Sequence, residues 1–115
     1  MVSKLDFVPS GYAEDFFALV DIPKSWQMST GYREVHELRF VAYDTSPCEN
    51  ERDAELHSRG IGFNCHVDAV SPEDGTANDV RIHCFVAVDR AAAEMMFSSL
   101  YEELLASKPD YIKEV

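Results

Sequence analysis

Between Gly60 and Leu105 the chain alternates, turns, alternates again and then changes to a helical period. This run constrains the fold more than any other stretch. Ile61, Phe63, Cys65, Val67 and Ala69 alternate with Gly62, Asn64, His66 and Asp68. Successive side chains leave a strand on opposite sides, so this spacing predicts a strand with one buried face. The turn formers Ser71-Pro72-Glu73-Asp74-Gly75-Thr76-Ala77-Asn78 come next. A second strand then sets Val80, Ile82, Cys84, Val86 and Val88 against Arg81, His83, Phe85, Ala87 and Asp89, which completes a hairpin. Burying one face requires apolar positions to lie across from apolar positions. The expected pairs are therefore Cys65 with Cys84, His66 with His83 and Asp68 with Arg81. The last is a cross-strand ion pair worth at most ~1 kcal/mol.

A helix is expected directly after the hairpin. Asp89 is a suitable N-cap, because its carboxylate can accept the orphan amides of the first turn. Ala93, Met96, Phe97, Leu100 and Leu104 fall on one stripe, flanked by Tyr101 and Leu105, with Ser98, Glu102 and Glu103 facing away. With almost no connecting loop, this helix must fold back over the buried face of the hairpin.

Upstream, Lys4 to Val8 suits a short edge strand. Pro9-Ser10-Gly11 breaks it and leads into a predicted N-terminal helix capped by Ser10, with Tyr12, Phe16, Leu19 and Val20 as its apolar stripe. Glu14 and Asp15 would favour the positive end of its dipole, and Asp21-Ile22-Pro23 would end it. Ser25 to Thr30 reads as a strand showing Trp26 and Met28 on one side, and Ser29 to Tyr32 as a turn. A longer strand from Arg33 to Asp44 turns Leu38, Phe40 and Ala42 inward and Glu37, Arg39, Val41 and Tyr43 outward. Ser46-Pro47-Cys48-Glu49 combines a capping box with a first-turn proline, and Gly60 is a plausible stop. Only Ala54 and Leu56 lie between them to be buried, so a short solvated helix and a loop both remain open. The sum is an α+β domain spanning residues 1–115. Its antiparallel sheet has about four strands, five if the N-terminus joins, with a C-terminal helix on one face and an N-terminal helix beside it or over an edge.

The chemistry is mostly negative. Gly60-Ile61-Gly62 lacks the third glycine of a phosphate-binding loop and opens a strand instead of a helix. Cys65-His66 and His83-Cys84 cannot converge on zinc if the cysteines face inward and the histidines outward. A Cys–His nucleophile pair fails likewise, and a cross-strand Cys65–Cys84 disulfide would need oxidising conditions. Glu73 to Asp79 lacks calcium-loop spacing. No catalytic residue and no cofactor is expected.

What remains is charge. The 115 residues carry a net charge of −11, spread along the chain without an acidic tail. Such a surface repels nucleic acid and anionic membranes and attracts a basic protein, although acidity also serves solubility alone. The apolar runs are too short to span a bilayer. The first residues carry no apolar signal region, and three cysteines lie at no metal-like spacing, which fits the cytoplasm. The leading expectation is a small acidic binding module of the inhibitor, immunity, antitoxin or anti-defence type. It would meet a basic partner with Glu49, Glu51, Asp53 and Glu55, and anchor it on a sheet face bearing Arg39, Tyr43, His66, His83 and Phe85. The alternatives are a chaperone or assembly adaptor, and a ligand-binding domain or enzyme using that same face. A homodimer is compatible with all three.

Overall fold

A computed structural model describes residues 5–21, 37–70 and 80–107. They form a five-stranded antiparallel sheet in the order β1-β2-β3-β4-β5, each strand pairing with its neighbour in sequence. The strands are β1 (Val8–Pro9), β2 (Phe16–Asp21), β3 (Glu37–Asp44), β4 (Phe63–Val70) and β5 (Val80–Ala87). Helix α1 (Glu51–Ser58) lies between β3 and β4, and α2 (Arg90–Ser107) follows β5. The class is α+β, as the pattern predicts. The predicted strand at Ser25–Thr30, the turns at 29–32 and 71–78, and positions 33–36 of the long strand lie outside the described residues.

One face of the sheet and α2 enclose the core. Phe16, Ala18, Leu38, Phe40, Ala42, Phe63, Cys65, Val67 and Ala87 come from the strands, and Ala93, Phe97, Tyr101 and Leu104 from the helix. Phe97 is its hub, with ring centroids 5.0 Å from Phe85, 5.6 Å from Phe40 and 5.8 Å from Phe7. Such edge-on and tilted pairs add to the stabilisation from area alone. Burial in this layer pushes the Cys65 thiol up to about 12, which makes it an inert apolar filler.

The predicted N-terminal helix is instead strand β2. Tyr12, Phe16, Leu19 and Val20 do have helical spacing, but Phe16 to Val20 is also an unbroken apolar run rich in strand formers. Pairing with β3, which places Phe16 across from Ala42 and Ala18 across from Phe40, buries Phe16 and Ala18 completely. An isolated short helix could not match that burial. The edge strand expected at Lys4–Val8 falls at Val8–Pro9, pairing with Phe17 and Phe16.

Helix α1 forms, but later than the capping box suggests. Asn50 is its N-cap, accepting the Asp53 amide at 2.8 Å, while Thr45 to Cys48 closes a turn through a Cys48 N–H bond to the Thr45 carbonyl. Gly60 ends the helix as expected. Its N–H donates to the His57 carbonyl and that of Ile61 to the Leu56 carbonyl, a Schellman pattern with Gly60 in the left-handed region at φ 83°. Gly62 is fixed for another reason. Its N–H donates to Ala87 and Val88 carbonyls, and a Cβ there would sit 2.6 Å from the Val88 oxygen.

The β4–β5 register departs from the expected one at a bulge. Asp68 pairs with Arg81 as predicted, but Val67 pairs with His83, His66 with Cys84 and Cys65 with Phe85. Ile82 is the extra residue, and beyond it the faces of β5 are exchanged. Phe85 and Ala87 join the core while Cys84 is exposed on the other side. Cys65 and Cys84 are therefore not cross-strand partners. Both faces of β5 carry apolar residues, so alternation alone does not choose between them. The bulge places Phe85, the larger residue, under α2, and burying Phe instead of Cys contributes more.

Helix α2 begins as expected. Asp89 accepts the Ala92 amide at 2.8 Å, and Arg90 lies over the Phe16 ring at 4.3 Å while bonding Glu94. Its buried stripe is Ala93, Phe97, Tyr101 and Leu104. Met96, expected inside, is 40% exposed and Leu100 is half-buried. The phase is rotated toward Tyr101 because a ring at that position reaches Phe40, at 5.8 Å.

Candidate functional site

The second face of the sheet and the end of β3 carry the polar chemistry. Asp44 closes β3 and braces two loops with one carboxylate. Its Oδ2 accepts the Glu14 amide at 3.0 Å and its Oδ1 the Ser46 amide at 2.9 Å. Its own N–H donates to Asp15 Oδ1 at 2.6 Å. Next to it, buried Thr45 donates from Oγ1 to the Ile61 carbonyl and from its N–H to the Gly62 carbonyl. The β1–β2 loop, the end of β3 and the approach to α1 are thus locked together.

They surround a cleft of about 340 Å³ lined by Tyr12, Asp15, Tyr43, Asp44, Pro47, Glu49, Asn50, Asp53 and Asn64. Four of the nine are carboxylates, and two half-exposed phenol rings stand at its walls. Among the described residues, two non-glycine residues adopt the left-handed region, Ala13 at φ 49° and Cys48 at φ 54°, and both lie in the loops that shape it. That conformation costs an L-residue about 1–2 kcal/mol, and strain of this kind concentrates at functional surfaces.

Two carboxyls of the cleft are displaced in opposite directions. Burial pushes Asp15 above its ordinary 3.8, opposed by its bond from the Asp44 amide and reinforced by the charges of Asp44 and Asp53. Burial also acts to raise Asp44, but bonds from Ser46 and Glu14 outweigh it and hold that carboxyl below 3.8. Burial therefore disfavours the charged form of Asp15, while backbone amides stabilise the charge of Asp44. Among the described residues, no three His, Cys, Asp or Glu side chains gather closely enough to hold a metal ion. Asp15, Asp44, Glu49 and Asp53 are instead spread along the lining.

Beside the cleft, His66, Asp68 and Val41 form a second buried layer on the face that α2 does not cover. Asp68 Oδ1 takes bonds from His66 Nδ1 and Arg81 Nε, both at 3.2 Å. An ionised carboxylate can only accept, so Nδ1 carries the proton. Burial and the Arg81 and Arg39 charges keep the imidazole neutral, outweighing the attraction of Asp68, so its pKa lies below 6.5. Among the described residues, Nε2 is then a buried acceptor without a hydrogen-bond partner. The ring stacks on Tyr43 with centroids 5.4 Å apart and planes 15° apart. This layer sets the orientation of one wall of the cleft. Cys84 is the direct cross-strand neighbour of His66, yet it makes no bond to Nε2, which is how a Cys–His nucleophile pair would have to be wired.

The sequence-predicted residues divide. Glu49, Asp53 and Tyr43 line the cleft. Glu51 and Glu55 are exposed on α1 away from it. Arg39 and His66 share the second face with Tyr43, whereas His83 and Phe85 lie across the bulge on the α2 side. Tyr12, Asp15, Asp44, Pro47, Asn50 and Asn64 complete the lining, and the sequence pattern does not mark them as site residues. The signal for Asp15 is the apolar run Phe16–Val20 that it precedes, which the helical spacing of Tyr12, Phe16, Leu19 and Val20 masks.

Comparison with protein-family models, with curated proteins and with solved structures finds no match in any of the three. Among the described residues, no helix is long and apolar enough to cross a membrane.

Proposed function

We propose that this protein is an acidic protein-binding module that receives a lysine or arginine side chain of a basic partner in the Asp15–Asp44–Asp53 cleft. One observation carries the reading: carboxylates of three segments converge on a concavity walled by Tyr12 and Tyr43. Guanidinium and ammonium groups only donate hydrogen bonds, and this lining is rich in acceptors. A phenol face beside the cation adds roughly 0.5–2 kcal/mol, more as water is excluded. The remaining negative surface would speed encounter, while the cleft supplies the short-range anchor. Masking of a basic surface, as inhibitors and immunity proteins do, is the role that follows.

A catalytic use of Asp15 and Asp44 is the weaker reading. Opposed pKa shifts in one cleft can mark an acid–base pair, but both Asp44 oxygens already brace backbone amides.

The test compares two double variants that remove equal charge. Glu49→Gln with Asp53→Asn alters the lining; Glu51→Gln with Glu55→Gln does not. Affinity for an arginine-bearing peptide, measured at two salt concentrations, should fall roughly tenfold for the first pair and only slightly for the second. Equal losses, vanishing together at high salt, would mean that only overall charge matters.

A further inference from the structure

The two edges of the sheet are unlike. β1 is two residues long and ends in Pro9, features that blunt an edge against further pairing. β5 runs eight residues, Val-Arg-Ile-His-Cys-Phe-Val-Ala, with a single formal charge and no proline. Among the described residues nothing pairs with its outer side. An edge of that length and composition presents a row of amides and carbonyls to whatever strand arrives.

Next to this edge lies a groove of about 340 Å³ between β5 and α2, lined by Phe85, Met95, Met96 and Leu100 with Glu103 among its walls. Met95 is 71% exposed. Methionine is flexible and polarizable, and suits surfaces that must accept varied apolar side chains. The groove lies on the α2 side of β5, where His83 and Phe85 line it, so alternate side chains of a strand added to β5 would aim into it.

We infer that β5 is a strand-addition site for an extended segment of a partner protein, with apolar residues at alternate positions and a lysine or arginine near one end. The backbone of β5 supplies the hydrogen bonds, the methionine groove takes the apolar side chains, and Glu103 faces the basic residue. A second copy of this chain is a poorer occupant. Its own β5 would turn Phe85 toward the groove, a ring already committed to Phe97 at 5.0 Å. Two chains of net charge −11 would also meet with Glu103 on both sides. The site is separate from the cleft and stands without it.

The probe is a capped octapeptide alternating valine with threonine and ending in lysine. A companion peptide is N-methylated on alternate residues so that it cannot pair. The unmodified peptide should bind saturably and slow hydrogen exchange at alternate β5 amides. N-methylation should weaken binding at least roughly tenfold, and Met95→Glu, at an exposed position that leaves the core intact, by a similar factor. Glu103→Gln should weaken the lysine peptide but not its norleucine analogue. Tyr12→Ala, in the cleft, should change none of these, so failure here is distinguishable from failure of the cleft. Absence of saturable binding at millimolar peptide, or indifference to N-methylation, would overturn the assignment. So would concentration-dependent dimerisation that protects the same β5 amides, since a second copy would then hold the edge.

Discussion

The two faces of the sheet are built on different physics. Under α2, Phe16, Phe40, Phe97 and their neighbours are buried by area, and their energies are large, non-directional and tolerant of detail. On the other face, Val41, His66 and Asp68 are nearly as buried, but what positions them is a set of bonds to specific atoms. A buried polar layer of this kind contributes little net stability and costs much when half broken. What it gains is orientation: His66 is fixed by Asp68, and Tyr43 is fixed by His66. The first face makes the protein fold; the second aims a wall of the cleft.

The largest effect should come from the apolar face. Phe97→Ala removes the ring that touches Phe7, Phe16, Phe40 and Phe85, and should cost about 3–5 kcal/mol in urea denaturation. Leu100→Ala, only half-buried, should cost clearly less. Equal losses would mean that α2 is rotated from the phase described.

The polar face should respond asymmetrically. Asp68→Ala strands the His66 Nδ1–H and should cost roughly 2–3 kcal/mol, less than a fully buried ion pair because Arg81 can re-solvate. His66→Phe keeps the stack on Tyr43, removes an Nε2 that has no partner among the described residues and leaves Asp68 with Arg81, so its cost should be below ~1 kcal/mol. If His66→Phe proves the more damaging of the two, the layer is organised by the imidazole and not by the carboxylate.

A smaller effect separates the faces by pH. The folded-state pKa of His66 lies below its ordinary 6.5, so below pH 6.5 the unfolded chain takes up a proton that the folded one refuses. Stability present above 6.5 should therefore fall as the pH drops toward the folded value, at no more than about 1.4 kcal/mol per unit. Chemical denaturation from pH 7.5 to 5.5 should show this slope in the wild type and a shallower one in His66→Phe. Parallel curves would place His66 in contact with water.

How far the sequence reached depended on whether one face or two were apolar. β4 was legible because Phe63, Cys65 and Val67 face polar neighbours without exception. The Asp89 cap was legible as a local pattern with one interpretation, and on β3 the Leu38-Phe40-Ala42 face was legible because Glu37 and Arg39 share the other face with Val41 and Tyr43. β5 offers Ile82, Cys84 and Val86 on one side and Phe85 and Ala87 on the other. Only the packing against Phe97 decides between them, through a bulge that leaves no mark in composition. β2 failed because Tyr12 to Val20 satisfies a helical period and a buried-strand run together, and the presence of β3 selects the strand. Of the cleft, Glu49 and Asp53 were legible as charge. Asp15 and Asp44 were not, because the β2–β3 pairing that joins them spans 29 residues.

The most direct test of the cleft is a titration of arginine amide into isotope-labelled protein, followed by backbone amide shifts. Saturable shifts should cluster at Tyr12, Asp15, Asp44, Asn50 and Asn64, be largely absent at Glu51 and Glu55, and weaken severalfold in Asp15→Asn, which retains the oxygen that accepts the Asp44 amide. Shifts scattered over the acidic surface, or unchanged in Asp15→Asn, would contradict a built cation site.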